Sequence, residues 1–210
     1  MRKRNPAVLG PGQAEPVLPE DLERPAWSEI FGRVSPLEVD IGFGKGEYLI
    51  ELSARQPEVN YVGIELSRKR LLKVRDKLVR LTRPNVRLAC GDAGALVPRL
   101  FAPGSVRAFT INFPDPWPKR RHHKRRMVTK SFGETLARML VPGGMLTLAT
   151  DDWEYVEQVV EELGKVSALA SVFQPSGYVT SLPDRVETLY ERKFREQGRT
   201  NHYMRYGRVG

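Results

Sequence analysis

A single carboxylate, Asp115, lies between two prolines in the stretch INFPDPWPKRRHHKRR, which covers residues 111–126. The prolines fix backbone angles and stiffen the loop, so the acid is held in place at little further entropic cost. Trp117 follows, and six of the eight residues from 119 to 126 are Lys or Arg. A carboxylate fixed in this way could cap a turn, bind a metal ion or contact a substrate.

A glycine cluster forms a second candidate site, in the segment DIGFGKG over residues 40–46. Glycines let the backbone turn tightly and approach a ligand closely. A dinucleotide-binding loop has the spacing G-x-G-x-x-G, which needs a glycine where this chain has Glu47. The observed spacing is G-x-G-x-G, through Gly42, Gly44 and Gly46. It favours the loop under the methionine part of S-adenosylmethionine over the pyrophosphate site of a nicotinamide-dependent oxidoreductase.

Three acids follow successive predicted strands and should therefore meet at one edge of a sheet. Glu65 ends the second strand and is placed to accept hydrogen bonds from ribose hydroxyls. Asp92 follows the third strand, ahead of Ala93, and can accept from the exocyclic amine of adenine. Asp40, at the end of the first strand, is placed to hold the cationic end of the same cofactor. Each acid alone would more often be a cap, but the three together favour the cofactor.

The positive charge of the chain is concentrated in two short segments. The net charge is +9, and the basic residues cluster at positions 2–4 and 119–126. Such clusters are expected where a protein contacts a polyanion, with Lys and Arg binding phosphates and setting register. The candidates for backbone phosphates of a nucleic acid are Arg120, Arg121, Lys124, Arg125 and Arg126. No Cys or acid stands at metal-ligand spacing around His122 and His123, so the sequence predicts no zinc site.

The positions of these residues follow from an alternation of strands and helices. Apolar runs predict strands over residues 35–41, 60–65, 86–90, 106–112 and 145–149. Helical patterns lie between them, over residues 47–56, 67–81, 130–140 and 153–163, with Ser67 as an N-cap. Two further strand-like segments, residues 168–173 and 186–194, are expected to form an antiparallel edge.

The pattern predicts an α/β protein of the Rossmann-like type, with a mostly parallel sheet and helices on both faces. Its length suits one domain, which we place at residues 26–200, between a flexible Pro-rich arm at 1–25 and a tail at 201–210. No apolar run approaches the length of a membrane span. The single cysteine, Cys90, fits a reducing cytoplasm. The sequence leaves monomer and homodimer open.

Taken together, these segments resemble the bacterial-type tRNA (guanine-N7)-methyltransferases. The resemblance covers roughly residues 30–198. It is most specific in FPDPWPKRRHHKRR and is supported by the following segments: DIGFGKG, Gly63-Ile64-Glu65, Gly91-Asp92-Ala93, Thr150-Asp151 and Thr188-Leu189-Tyr190-Glu191. It implies a seven-stranded class I methyltransferase fold, S-adenosylmethionine as cofactor, and transfer of a methyl group to N7 of a guanine in the variable loop of tRNA.

The resemblance also implies roles for individual residues. Asp115 would be the catalytic residue and would also contact the cofactor region, with the remaining cofactor contacts supplied by Asp40, Gly42, Gly44, Gly46, Glu65, Asp92 and Ala93. The guanosine would be bound by Lys119, Asp151, Thr188, Tyr190 and Glu191. Members of the family often have Glu at the position of Asp40. The side chain in this protein is therefore shorter by one methylene.

The chemistry of guanine N7 agrees with these residue types. N7 carries an in-plane lone pair and no proton, so its methylation needs no general base. Enzymes that methylate exocyclic amines typically carry Asn/Asp-Pro-Pro-aromatic at this loop, whereas this chain has Pro-Asp-Pro-Trp. Two alternatives remain open from the sequence: a methyltransferase acting on another RNA or DNA base, and a non-catalytic RNA-binding protein on the same fold.

Overall fold

In the computed structural model, residues 15–210 are described, apart from the side chains of Arg120 and Leu189. The basic cluster at positions 2–4, and with it most of the predicted arm, lies outside the described residues. The strands are β1 (Leu37–Ile41), β2 (Asn60–Glu65), β3 (Val86–Cys90), β4 (Val106–Asn112), β5 (Leu140–Thr150), β6 (Leu169–Ser171) and β7 (His202–Arg208). The α-helices are α1 (Trp27–Phe31), α2 (Glu47–Arg55), α3 (Arg68–Arg80), α4 (Ala93–Leu100), α5 (Lys130–Met139), α6 (Trp153–Gly164) and α7 (Leu189–Glu196), and a 3₁₀ helix spans Arg120–Arg125.

The seven strands form one sheet in the order β3-β2-β1-β4-β5-β7-β6. The pairs from β3 to β5 are parallel, and β7 runs antiparallel to both of its neighbours. The predicted mostly parallel seven-stranded sheet is therefore confirmed. Its antiparallel strand lies next to the edge, with the three-residue strand β6 beyond it. The carboxyl ends of β1 to β5 meet along one edge, where open α/β sheets bind ligands.

Two hydrophobic clusters, one on each face of the sheet, hold the helices in place. Leu71, Val74 and Leu78 of α3 are buried at helical spacing and pack with Leu49 of α2 and Tyr61 of β2. The other face packs against residues of α4, α5 and α6. Full burial of each such apolar side chain contributes roughly 1.5–3 kcal/mol, so the two faces fix the strand ends to which the functional loops are attached.

Side-chain caps set where the helices begin. The Ser67 hydroxyl accepts a hydrogen bond from the Arg70 N–H, which confirms the predicted N-cap of α3. Asp152 caps α6 by accepting from the Tyr155 N–H at 2.9 Å. Each cap satisfies a backbone donor that the first turn leaves without a partner. The loops that end at these caps therefore enter their helices at fixed positions.

The prediction of a strand over residues 186–194 is wrong. Thr188 and Glu191 form a capping box, in which each side chain accepts a hydrogen bond from the other's backbone N–H, and α7 starts there. The apolar spacing in this segment therefore belongs to a helix. The strand next to β5 is instead β7, which pairs with β5 from His202 to Gly207, so the sheet extends into the segment predicted as a tail.

The end of the predicted arm also contacts the sheet. Val17 forms a parallel bridge with Leu88 of β3, the strand at the other edge. The Leu18 N–H donates to the Leu88 carbonyl at 2.8 Å, and the Leu88 N–H donates to the Pro16 carbonyl at 2.7 Å. These bonds satisfy backbone groups of an edge strand that would otherwise be unpaired. Within the described residues, no helix is long and apolar enough to cross a bilayer.

Candidate active site

Two cavities open at the carboxyl edge of the sheet and meet at the Asp115 loop. The Asp151 cavity has a volume of about 600 Å³ and is lined by residues that include Asp40, Tyr48, Asp151, Thr188, Tyr190, Phe194 and Arg199. The Asp92 cavity has a volume of about 570 Å³ and is lined by residues that include Glu65, Leu66, Asp92, Ala93, Trp117 and Phe132. Both cavities are lined by Gly42, Arg70, Asn112, Phe113, Pro114 and Asp115. A ligand in one cavity can therefore contact a ligand in the other at this loop.

Asp40 is a buried carboxylate with no hydrogen-bond partner among residues 15–210. Its side chain lies at the end of β1 with 3% of the residue exposed. Neither carboxylate oxygen accepts a hydrogen bond from any residue that the structure describes. Burial raises the pKa of Asp40 from 3.8 to about 7, against an opposing effect of Arg185 and with a smaller contribution from Glu65. A buried carboxylate without donors is costly, and a cationic ligand group in the Asp151 cavity would remove that cost.

The glycine loop requires glycine at each of its positions. Gly42, Gly44 and Gly46 have φ angles of 73°, 55° and 72°, in the left-handed region that other residues rarely adopt. A Cβ atom on Gly46 would also lie 2.6 Å from Cγ1 of Val74, so α3 packs directly against the loop. Gly42 lines both cavities and Gly44 lines the Asp151 cavity, whereas Gly46 lines neither and packs against α3.

Glu65 and Asp92 differ from Asp40 because the backbone already holds both of them. The Glu65 carboxylate accepts from the Gly44 N–H at 2.9 Å and from the Ser67 N–H at 2.8 Å. Asp92 caps α4 through Oδ1, which accepts from the Ala95 N–H at 3.1 Å. Each carboxylate oxygen has a second lone pair, so both acids remain able to accept from ligand hydroxyl or amine groups. The two acids line the Asp92 cavity, as expected for an adenosine site.

The Asp115 loop has a strained and well-braced backbone. Phe113 and Trp117 have φ angles of 46° and 45°, which are unfavourable for large side chains. Asp115 is exposed to the cavities, and its Oδ1 accepts from the Trp117 N–H at 3.2 Å. Strain of this kind persists only where surrounding contacts enforce it, and it fixes the carboxylate at the junction of the two cavities.

One contact that enforces the loop comes from Arg126, which corrects its predicted role. Arg126 is 4% exposed, so it does not present its charge to a nucleic acid. Its Nε donates to the Pro116 carbonyl at 2.6 Å, its Nη1 donates to Gln158 at 2.6 Å, and its guanidinium lies over the Tyr155 ring. Arg126 therefore anchors the Asp115 loop to α6.

The other described basic residues of this segment face solvent. Lys119, Arg121, Lys124 and Arg125 are exposed, while the Arg120 side chain is not described. The Arg125 guanidinium lies 4.9 Å from the centre of the Trp117 ring, beside the Asp92 cavity. Lys119 lines neither cavity, so the structure leaves it outside the predicted guanosine site. Among residues 15–210, no group of three or more His, Cys, Asp or Glu is placed to hold a metal ion.

The four other residues predicted to bind guanosine divide into two groups. Asp151, Thr188 and Tyr190 line the Asp151 cavity, and Asp151 accepts from the Arg199 Nη1 at 2.7 Å. Glu191 does not face this cavity. It is 1% exposed, closes the capping box of α7 and pairs with Arg185 at 2.8 Å. The predicted contact of Glu191 with a substrate is therefore corrected to a role in holding α7.

Sequence reasoning missed several residues that build the Asp151 cavity. Phe194 lies 5.6 Å from Phe113, and Arg199 lies over Phe194 and pairs with Asp151. Asn112 ends β4, and Arg185 donates to its side-chain oxygen. Arg185 and Arg199 stand outside the basic segment and in no recognisable spacing, so nothing local in the sequence distinguished them.

The sequence matches known proteins over most of its length. The family model described as "Putative methyltransferase" matches residues 34–204. A tRNA (guanine-N(7)-)-methyltransferase of Halorhodospira halophila is 40% identical over 178 residues, which cover 84% of this chain and 77% of that protein. This chain belongs to the tRNA (guanine-N7)-methyltransferase family. The predicted resemblance is therefore confirmed.

Other members of the tRNA (guanine-N7)-methyltransferase family match to different extents. The protein of that name from Geobacter metallireducens is 35% identical over 189 residues, which cover 90% of each chain. The one from Thermotoga maritima is 40% identical over 173 residues. The match covers 82% of this chain but only about half, 54%, of that protein. The family relationship thus holds across most of this chain.

Solved structures support the fold. The 16S rRNA methyltransferase KamB matches with a TM-score of 0.63 at 14% identity, over 88% of this chain and 93% of that one. The antibiotic-resistance methyltransferase Kmr matches with a TM-score of 0.59 at 15% identity, over 88% and 92% of the two chains. At such identities the likeness establishes the class I methyltransferase fold that the sequence predicts.

Proposed function

We propose that this chain transfers a methyl group from S-adenosylmethionine to N7 of a guanine in tRNA, at the variable loop. One observation carries the proposal: two cavities meet at Asp115, and beside their junction Asp40 offers a buried carboxylate to which no described residue donates a hydrogen bond. The activity named for relatives of similar length supports the same substrate.

The residues at this edge fit S-adenosylmethionine. Asp40 would hold its ammonium group, because a buried carboxylate without donors favours a cationic partner. Glu65 would accept from the ribose hydroxyls and Asp92 from the adenine amine, while Ala93 and the Gly42–Gly46 loop provide the surrounding wall. When bound, the cofactor supplies a sulfonium methyl group as the electrophile.

The Asp151 cavity would hold the guanine. Tyr190 and Phe194 offer aromatic faces, and the Asp151 carboxylate can accept from the N1–H and N2–H donors of the base. Arg199 pairs with Asp151 in the ligand-free protein, and this ion pair would have to break before the base could bind there. Because the base becomes cationic as N7 is methylated, a carboxylate fixed at Asp115 stabilises the transition state more than the ground state.

The protein's main contribution is orientation, since N7 needs no base to remove a proton. Holding donor and acceptor in line is worth roughly 7–11 kcal/mol of the barrier. The strained loop around Asp115 and the wall formed by α7 supply rigid surfaces for this purpose. N7 lies on the major-groove edge, so the base must be unpaired or splayed out to reach the cavity.

The exposed basic residues would hold the tRNA backbone. Arg125 lines the Asp92 cavity, and Arg121 and Lys124 are exposed in the same 3₁₀ helix, where phosphates would set the register of the tRNA. Lys119 would then contact the substrate from outside the cavity, as the family resemblance implies. A tRNA substrate also agrees with the cytoplasmic location that the cysteine usage predicts.

The test is to incubate the protein with methyl-labelled S-adenosylmethionine and unmodified tRNA, and to identify the labelled nucleoside. We expect 7-methylguanosine, positioned in the variable loop by fragment analysis. Label in another nucleoside would replace the proposal with methylation of another base. Binding of tRNA with no label incorporated, at saturating cofactor, would favour a non-catalytic RNA-binding protein.

A further inference from the structure

Arg185 is buried where β7 meets three elements that supply residues to the Asp151 cavity, namely β4, α2 and α7. Its side chain is 3% exposed. Nε donates to Glu191 at 2.8 Å, and Nη2 donates to the side-chain oxygen of Asn112. Its guanidinium centre lies 4.7 Å from the ring of Tyr48 and 5.7 Å from the ring of Tyr203. Contacts with β4, α2, α7 and β7 thus converge on one side chain.

The two hydrogen-bond partners of Arg185 belong to two different elements that supply residues to the cavity, β4 and α7. Asn112 is the last residue of β4 and immediately precedes the strained Asp115 loop. Glu191 closes the capping box that starts α7, the helix whose first turn presents Thr188 and Tyr190 to the cavity. One planar guanidinium therefore sets how far the Asp115 loop lies from α7, and hence the width of the guanine site.

Stability alone does not explain this arrangement. A buried ion pair loses its hydration, and apolar side chains of similar volume often serve a fold equally well. Arg185 also keeps one buried donor, Nη1, without a hydrogen-bond partner among the described residues. A buried donor that is not satisfied costs free energy. The retention of a fork-shaped cation here points to a role in the geometry and charge of the site.

Arg185 also acts on Asp40 through its charge. The titratable groups that face Asp40 are Glu65 on β2, Tyr48 on α2 and Arg185, and among them Arg185 is the one that favours the ionised carboxylate. Glu65 and burial act in the opposite direction. Asp40 must be ionised to receive an ammonium group. The same side chain thus affects both the donor and the acceptor sides of the junction.

We infer that Arg185 is a positioning residue for methyl transfer, because its buried guanidinium joins the end of β4 to α7 beside the Asp151 cavity. This inference rests on the proposed function. It assigns to Arg185 two effects that can be measured separately: the turnover of bound substrates, and the pH dependence of cofactor binding.

The experiment compares four proteins: wild type, Arg185→Gln, Arg185→Lys and Glu191→Gln. Arg192→Gln serves as the matched control. Arg192 lies in α7 next to Glu191, but it is about half exposed and pairs with Glu187 at 3.6 Å. Thermal unfolding identifies any variant that fails to fold. Methyl transfer to tRNA gives kcat and KM, and equilibrium dialysis of labelled S-adenosylmethionine from about pH 6 to pH 9 gives its affinity as Asp40 titrates.

Arg185→Gln should lower kcat by roughly 100-fold at saturating substrates, the scale of a 1 Å misplacement of reacting groups. It should also move the midpoint of cofactor binding to higher pH, because loss of the cation raises the pKa of Asp40 further. Arg185→Lys should restore the midpoint but not kcat, since an ammonium group keeps the charge and loses the fork. Glu191→Gln should lower kcat without raising the midpoint.

A folded Arg185→Gln protein with wild-type kcat and an unchanged midpoint would overturn the inference. So would equal losses in the Arg192→Gln control. The proposed function is judged separately, by whether the wild type forms 7-methylguanosine in the same assay. An active wild type with an indifferent Arg185→Gln variant rejects only the role of Arg185.

Discussion

The two cavities at the carboxyl edge of the sheet differ in how completely the protein satisfies the acids that line only one of them. In the Asp92 cavity, Glu65 and Asp92 each accept hydrogen bonds from backbone N–H groups. In the Asp151 cavity, Asp40 accepts none from the described residues and Asp151 is held by Arg199 across the cavity. The first region is organised before any ligand binds. The second has groups whose partners must be supplied or exchanged when ligands arrive.

This difference indicates where each kind of binding energy is used. Preformed acceptors bind a ligand with little reorganisation, whereas an unpaired buried charge makes the ligand-free protein less stable and rewards the ligand that neutralises it. Substitution of a preformed acceptor in the Asp92 cavity should therefore lower turnover or affinity. Substitution of Asp40, in the Asp151 cavity, should in addition make the ligand-free protein more stable.

The largest effect is expected at the junction itself. Asp115→Asn should lower kcat by roughly 10²–10³-fold, because it removes the charge that stabilises the cationic guanine. Asparagine retains an oxygen that can accept from the Trp117 N–H, so the loop should keep its conformation. Steady-state kinetics with tRNA measure the change. Asp184→Asn, at an exposed acid paired with Arg205, is the control; normal turnover by Asp115→Asn would refute the assignment.

Asp40→Asn should separate affinity from stability. We expect S-adenosylmethionine affinity to fall by roughly 10- to 100-fold, through loss of a charge-assisted hydrogen bond. Titration calorimetry at a pH of about 8 checks this, since Asp40 is then ionised in the wild type.

The same variant should change the pH dependence of the ligand-free protein. The pKa of Asp40 is raised to about 7 by burial, so between pH 3.8 and about 7 the folded state holds a proton that the unfolded state has lost. Wild-type stability therefore falls as pH rises through this window, by about 2–3 kcal/mol between about pH 5 and pH 8. Asp40→Asn lacks this loss. The free energy of unfolding is measured for both proteins by denaturant titration at each pH. An equal fall with pH in the two proteins would show that burial does not raise the pKa of Asp40.

An intermediate effect is expected on the exposed basic surface. Replacement of Arg121, Lys124 and Arg125 by Gln should raise KM for tRNA and reduce the slope of log affinity against log salt by roughly 2–3. The kcat should change little, because these side chains do not line the Asp151 cavity. The matched control replaces Arg55, Arg80 and Arg138, at the ends of helices on the opposite edge of the sheet. An equal change in the control would place the tRNA elsewhere.

The smallest effect concerns the wall formed by α7. Thr188→Ala removes a cap that accepts from the Glu191 N–H at 3.1 Å, and should cost about 1 kcal/mol of stability. Turnover should fall more than in Thr135→Ala, where the hydroxyl bonds to the Ser131 carbonyl within α5 and caps no helix. Hydrogen exchange at residues 189–196 would locate the loosening, and unchanged protection there would argue against a role of the cap.

The sequence predicted the residues that would bind the methyl donor better than those that would bind the guanine, for a physical reason. Strands β1 to β3 are short apolar runs that end at, or are directly followed by, a glycine or an acid, so their ends and the residues Asp40, Glu65 and Asp92 follow from local patterns. The side that would hold the guanine also uses α7 and Arg199, which no short pattern of that kind marks. There the alternation of apolar residues predicted a strand where a capping box starts a helix.

Charged residues were the least predictable from local patterns. A run of six basic residues gives no indication that Arg126 turns inward to reach Pro116 and Gln158, whereas Arg121 and Arg125 remain exposed. Likewise, Arg185 acquires its importance from Glu191, Asn112 and Tyr48, which lie in three other elements. Tertiary contacts decide such roles, and single-sequence patterns do not contain them.

The position of β7 has a consequence for synthesis on the ribosome. β7 is the last strand along the chain, yet it lies between β5 and the edge strand β6. Strands β1 to β4, whose ends carry the predicted cofactor-binding residues, lie within residues 37–112. In contrast, β6 has no hydrogen-bonding neighbour until residues 202–208 are made. The nascent chain thus contains the strands that carry the cofactor-binding residues before it contains β7, the strand that joins β6 to the sheet.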